Sequence, residues 1–166
     1  TFNGGNNANI TGITNGNSTT TSPFTRTLTN SATTAQSVVY TVTVSPHTGC
    51  AVTENVPSIT VNPTPLLTSA TSNSTCSGIS QASYTPTSST TLSGYSWSRA
   101  AVTGITPSTG SSGSAGSGGS AITETLTNST AAPITVTYSI ILTGSAGACQ
   151  NTVTRTLTIN PKPTFA

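Results

Sequence analysis

The sequence predicts an all-β chain made of tandem sandwiches, each of two packed antiparallel sheets. Apolar and polar residues alternate in short runs such as "VVYTVTV" (38–44) and "VTRTLTI" (153–159), the period of a half-buried strand. Clusters of Ser, Gly and Pro separate these runs, and no segment carries a helical period. The runs also occur twice at a fixed spacing.

Composition supports strands rather than disorder. Of the 166 residues only 32% are hydrophobic and 4% charged, against about 25% charged in ordinary domains. The polar mass is Thr and Ser, and Thr is β-branched and fits a pleated, half-buried surface. The net charge of +2 comes from Arg26, Arg99, Arg155 and Lys162 against Glu54 and Glu124. Four scattered cations form no stripe, so no nucleic-acid partner is expected. The chain has no Asp, which argues against a carboxylate calcium cage. No run reaches the roughly 18 apolar residues of a bilayer span, so no membrane insertion is expected. With so little charge, copies repel each other weakly and side-by-side association is tolerated.

The repeat sets the domain organisation. "TLTN" at 27–30 returns at 125–128, and Tyr138 follows Tyr40 by the same 98 residues (138 − 40). "ITVNPTP" (59–65) returns as "LTINPKP" (157–163). Upstream, "ITGIT" (10–14) matches "VTGIT" (102–106) at an offset of 92, so "GSSGSAGSGGS" (110–120) reads as a flexible loop that absorbs the six-residue difference (98 − 92). The expected domains are a partial module at 1–65, a complete one at 66–163, and a linker or next module from 164. The partial module lacks a counterpart of "TCSGISQASYTPTSSTTLSGYSW" (75–97). Either the sequence starts inside a module, or the absent strands come from another chain by strand addition.

Strands are expected near 80–86, 92–99, 121–127, 134–142 and 152–159. In the last, Val153, Leu157 and Ile159 face the core and the intervening Thr residues face water. Ile59 and Val61 repeat this in the first module. Val38, Tyr40, Val42 and Val44 share one face, as do Val136, Tyr138, Ile140 and Leu142. Several short one-faced strands call for two packed sheets, an immunoglobulin-like β-sandwich. Glu124 and its counterpart Arg26 fall at inward parity. Glu124 either pairs inward, with Arg155 as its partner, or turns to water on a bulge. Each module ends in two prolines, Pro63 and Pro65 or Pro161 and Pro163, which restrict the backbone and stiffen the linker.

The cysteines read as a disulfide framework. Cys76 and Cys149 lie 73 residues apart (149 − 76), and closing such a loop stabilises by roughly 4 kcal/mol in the chain-entropy model. Cys50 is the counterpart of Cys149, with its partner expected outside this chain. The competing metal site has little support, because no CxxC spacing exists and His47 is the sole histidine. Bridges imply an oxidising, extracellular location.

With "CSGIS", "YSWS" running into "VTGIT", "VTYSIIL", the Cys after "TGSAGA", and "TLTINPKP" in view, the chain resembles the PKD-like and immunoglobulin-like repeats of giant Bacteroidota cell-surface proteins. These include gliding-motility adhesins and other products of type IX secretion. The first copy carries the same resemblance in "VVYTVTVSPHTGC" and "ITVNPTP". The resemblance implies secretion, surface display and a tandem array, and it identifies no binding residue. The Asp- and Gly-rich signature of typical PKD domains is absent, which places the chain with a divergent branch.

Catalysis is not expected. A nucleophile needs a neighbouring base and a glycosidase needs paired carboxylates, whereas the two Glu lie in different modules and His47 stands alone. No cofactor is implied. The expected role is a non-catalytic structural repeat of an adhesin, stalk or filament, whose partners are adjacent modules or identical subunits. The alternative is a surface module that binds glycans through Trp97 and Tyr95, or ice through its Thr rows. Trp97 in "YSWS" reads better as a buried core aromatic. Four Asn-X-Ser/Thr sequons, at Asn9, Asn17, Asn73 and Asn128, arise readily by chance in so Thr-, Ser- and Asn-rich a chain.

Overall fold

The computed structural model describes residues 2–13, 26–45, 48–81, 83–116 and 120–163. Among them every regular element is a strand. The chain forms two compact units, Thr1–Thr64 and Pro65–Ala166. The first contains β1 (Phe2–Gly4), β2 (Ile10–Thr11), β3 (Thr29–Asn30), β4 (Gln36–Val38), β5 (Tyr40–Val44), β6 (Val52–Asn55) and β7 (Ile59–Val61). The second contains β8 (Ser72–Cys76), β9 (Leu92–Arg99), β10 (Ile105–Thr106), β11 (Ser111–Gly116), β12 (Thr127–Asn128), β13 (Ile134–Gly144) and β14 (Gln150–Asn160).

In the second unit a five-stranded sheet runs in the order β11-β9-β13-β14-β8. Its pairings are antiparallel except for β8, which lies parallel to β14. The opposing layer is made of short pieces: the β10–β12 pair and isolated bridges Ser80–Thr125 and Tyr84–Ile122. Alternation places Val136, Tyr138, Ile140 and Leu142 of β13 on one face with Leu157 and Ile159 of β14, all fully buried. Tyr84, Ile105, Ile122 and Leu126 close over them from the other layer. The β-sandwich expected from the alternation is present.

The long strands fall where the period placed them, with β13 and β14 each slightly longer. The segments 80–86 and 121–127 are less regular than expected. Their described residues meet at two isolated bridges, with backbone hydrogen bonds from Gln81 to Glu124 and in both directions between Tyr84 and Ile122, rather than along a continuous ladder. The Gly- and Ser-rich stretch read as a flexible loop is instead the edge strand β11 through Gly116. Its glycines have a packing reason. A Cβ on Gly113 would lie 2.9 Å from the Trp97 indole nitrogen, and one on Gly94 2.6 Å from the Ala115 carbonyl. An aromatic ring covering an edge glycine compensates for the missing side chain.

Strand pairing also revises the internal alignment. Ile10 pairs Asn30 as Ile105 pairs Asn128, and Gly4 pairs Tyr40 as Arg99 pairs Tyr138. Upstream residues therefore correspond at an offset of 95 (105 − 10, 99 − 4), not 92, and the insertion is three residues rather than six. The "TGIT" phrases look alike but occupy different places: Asn9, not Gly12, accepts the hydrogen bond that Gly104 accepts in the second unit, from Ser31 and Ser129 respectively.

The first unit builds the same sheet in fragments. β4 and β5 together stand for β13, and β6 and β7 for β14. The break lies at Pro57, which occupies the place of Arg155 (155 − 98) and has no N–H for the ladder. Its core is smaller, with Ile10, Val38 and Tyr40 buried and Ile13, Leu28 and Val61 packed against them. Ile59 does not face a closed core as expected; it is 42% exposed.

Candidate functional site

The densest group of polar side chains lies inside the second unit. Glu124 points inward between Ile122 and Leu126, each 1% exposed. Arg99, at the end of β9, clamps it with Nε to Oε2 at 3.0 Å and Nη2 to Oε1 at 3.2 Å. The Tyr138 hydroxyl donates to the same Oε2 at 2.5 Å. Gln81 donates to the Tyr138 oxygen at 3.3 Å, and Arg155 donates to Gln81 Oε1 at 3.2 Å. The Arg155 guanidinium lies 4.0 Å over the Tyr84 ring, a cation–π contact. Glu124 thus turns inward, and its partner is Arg99 rather than the expected Arg155. The parity reading of β14 passed over Arg155, which the same alternation carries into the core.

The electrostatics of this group are those of a lock. Burial alone would raise the Glu124 carboxyl, but hydrogen bonds from Arg99 and Tyr138 and the Arg99 charge outweigh it and hold it below the usual carboxylate range. Burial, then the Glu124 contact, pushes the Tyr138 hydroxyl well above its ordinary value. Burial lowers Arg155, partly offset by Tyr84 and Tyr138. An acid held ionised and a phenol held neutral, both saturated with partners, have no proton to exchange near neutral pH.

A second polar device ties the closing strand. Asn128 Nδ2 donates to the Ala132 carbonyl at 2.7 Å and the Ile159 carbonyl at 2.9 Å, and its Oδ1 accepts from the Thr130 N–H at 2.9 Å. Asn30 repeats this, with Nδ2 at 2.8 Å from both the Thr34 and Val61 carbonyls and the Ala32 N–H on its Oδ1 at 2.8 Å. These asparagines were not singled out as structural residues. The signal was present in the repeated phrase "TLTN".

The expected site residues are distributed as follows. Tyr95 is 6% exposed and its hydroxyl is bonded to the Ser120 carbonyl. Trp97 shares its face, half-buried, 5.8 Å from the Tyr138 ring centroid. The two therefore form no exposed stacking platform: a sugar needs an accessible ring face, and Tyr95 offers none. Pro63 and Pro65 are buried, whereas Pro161 is half-buried and Pro163 exposed. Pro65 is fixed to the second unit, where its carbonyl accepts from Asn151 Nδ2 at 2.8 Å.

The expected bridge between Cys76 and Cys149 is overturned, since both thiols are free. Cys76 lies beside Asn160 at one end of β14, and Cys149 precedes Gln150 at the other. Eleven residues of strand span roughly 35 Å, whereas a disulfide needs Cα atoms within about 7 Å. Spacing in sequence carried no information about which end of the sheet each residue would reach. Cys50 is free and exposed, and its expected external partner was drawn from the same pairing.

Glu54 is exposed on β6 of the first unit, away from any second carboxylate within that unit. His47 and Asn17 lie outside the described residues. Of the sequons, Asn9 and Asn73 are exposed, while Asn128 is 6% exposed with its amide fully engaged, so the folded unit has no room for a glycan there. Among the described residues no three His, Cys, Asp or Glu side chains gather, and no helix is long and apolar enough to cross a membrane.

Comparison with known proteins agrees with this picture of two copies of a polar β-sandwich. The PKD-like domain family matches residues 1–65 and again 73–163, nearly the whole chain. No curated protein matches the chain.

Proposed function

We propose, from the premise that this chain belongs to the PKD-like domain family, that it is a spacer segment of a surface adhesin, stalk or filament. Domains of this family are generally non-catalytic and typically extracellular. The observation that carries the reading is the repeated ending. Two copies of one fold each close with Asn-Pro-x-Pro, and the last proline of the first ending is bonded to the second unit through Asn151. Pro63 and Pro65 fix φ and restrict the backbone where one copy gives way to the next.

The partners in this reading are adjacent modules of the same polypeptide and identical subunits of a filament, placed on the cell surface. The likeness of its repeated phrases to giant Bacteroidota surface proteins supports export by type IX secretion. Negative-stain electron micrographs of the full-length polypeptide test the role. Thin beaded fibres are expected, and isolated globules would defeat it.

One observation favours a second reading. On the outer face of the second unit's sheet, Thr135 lies opposite Thr158, Thr137 opposite Thr156, and Ser139 between Thr154 and Ser98. This ladder of hydroxyls could order water, as an ice-binding face does. Thermal hysteresis that disappears in Thr137→Lys supports that reading, and its absence from the unmodified chain removes it.

A further inference from the structure

The first and last strands of the second unit, in chain order, lie side by side and run the same way. β8 pairs parallel with β14, from Ser72 beside Thr156 to Cys76 beside Asn160. At the two ends of this ladder the Thr156 N–H donates to the Thr71 carbonyl at 2.8 Å, and the Ser77 N–H to the Asn160 carbonyl at 2.9 Å. A parallel ladder is evenly spaced, so the register carries the bonds between these ends through the Asn73 and Thr75 N–H groups. Little else holds β8 itself. Its Ser72, Asn73, Ser74 and Cys76 side chains are exposed, and Thr75 is half-buried.

The chain enters this unit at one end of β14 and leaves it at the other. The Pro65 carbonyl accepts from Asn151, near the start of β14, whereas Pro161 follows directly on its last residue, Asn160. Tension along the polypeptide therefore draws β8 back by its first residue and β14 forward by its last. The two strands slide past each other, and the hydrogen bonds of the ladder lie across the pull and share it. Opened from one end, the same bonds break in turn. The chain on either side of β8 is also anchored. Before it, Leu67 bridges Ser88 and the Thr68 N–H donates to the Thr87 carbonyl. After it, the Gly78 N–H donates to the Leu126 carbonyl and Gln81 to the Tyr138 hydroxyl, which keeps β8 from slipping along its partner.

We propose that the parallel β8–β14 ladder is a shear clamp, the element that bears tension along the chain and sets the force at which the second unit unfolds. A strand whose holding groups are backbone N–H and C=O needs no apolar side chains, which accounts for the polar "SNSTC" of β8. The clamp deepens the spacer reading and rests on it for the source of the tension alone. Its strength is a property of the folded unit, measurable whether or not the protein forms a stalk.

The test is optical-tweezers pulling on the whole chain in two directions, in a background carrying Cys50→Ser, Cys76→Ser and Cys149→Ser. Handles at Thr64→Cys and Lys162→Cys, both exposed positions, load the two strands in shear. Handles at Ile79→Cys, 57% exposed, and Lys162→Cys load the same pair from one end. At equal loading rate the shear direction should need at least about twice the force, because its evenly spaced bonds break together. That rupture should free residues 72–160 in one step, 89 residues (160 − 72 + 1), or roughly 300 Å of extended chain. Asn73→Pro removes one ladder N–H and should lower the shear force while leaving the end-loaded force, which begins at Ser77, unchanged. Trp97 emission shows whether that variant is folded, and the comparison of directions needs no change within β8 beyond Cys76→Ser. Equal forces in the two directions overturn the proposal. So does a shear force that Asn73→Pro leaves unchanged in a folded protein.

Discussion

Asn128 donates its side-chain amide to the Ile159 carbonyl at 2.9 Å, one residue before the Asn-Pro that ends the module. The repeated "TLTN" and the repeated ending are thus two halves of one contact, made again by Asn30 and the Val61 carbonyl. That contact holds the closing strand in the sheet at the end of each copy.

Removing this amide should be costly. Asn128→Ala leaves the buried Ile159 carbonyl without its donor, a loss of about 1–3 kcal/mol, while the exposed Ala132 carbonyl can turn to water. The chain has one Trp, Trp97, so fluorescence during urea unfolding reports the second unit alone. A midpoint unchanged by Asn128→Ala would contradict the role given to this residue.

The ion pair should make the second unit sensitive to acid. The folded-state Glu124 carboxyl is depressed, so its stabilisation is fully present above the ordinary carboxylate range and is lost as pH falls below about 4. The Tyr138 hydroxyl is raised, so its contribution is present below about pH 10 and is lost as pH rises further. Glu124→Gln should cost about 3 kcal/mol at neutral pH by leaving the buried Arg99 unpaired, and should flatten the acid limb of the stability profile. Equal acid sensitivity in the two proteins would place the titration elsewhere.

Gly113→Val should be unfavourable although it lies in an edge strand of small residues. Its Cβ would meet the Trp97 ring at 2.9–3.2 Å, and such overpacking costs typically 1–3 kcal/mol. The Trp97 emission maximum should shift to longer wavelength as the ring lifts from the sheet. An unchanged spectrum and unchanged stability would show that the ring does not depend on the glycine.

The cysteines give a mass-spectrometric test. Under mild oxidation no intramolecular Cys76–Cys149 bond should form, and alkylation without reductant should label Cys50 and Cys76 readily and the half-buried Cys149 more slowly. A tryptic peptide pair joined through Cys76 and Cys149 would mean that the second unit's sheet is misassigned.

Much of the fold was legible because it depends on local period. Val136 to Leu142 and Val153 to Ile159 alternate plainly, and the offset of 98 aligns β12, β13 and β14 with their counterparts. What depends on which elements meet in space was not legible. Arg155 carries the core parity of Val153 and Leu157, yet a charge in a buried row is read as an exception until Tyr84 and Gln81 arrive from the other layer. β8 is "SNSTC", with no apolar residue except its last, and its parallel pairing depends on a partner more than eighty residues away. The bridge between Cys76 and Cys149 failed for the same reason: the ends of a sheet are a property of the topology.

The central proposal is a spacer role for two sandwich units whose connection carries Pro63 and Pro65. Small-angle scattering on the chain in dilute solution tests it most directly. A compact 166-residue globule has a radius of gyration near 15 Å. The account predicts a clearly larger radius and a second maximum in the pair-distance distribution, which broadens when Pro63 and Pro65 are both replaced by Gly. A radius near 15 Å with a single symmetric maximum would contradict it.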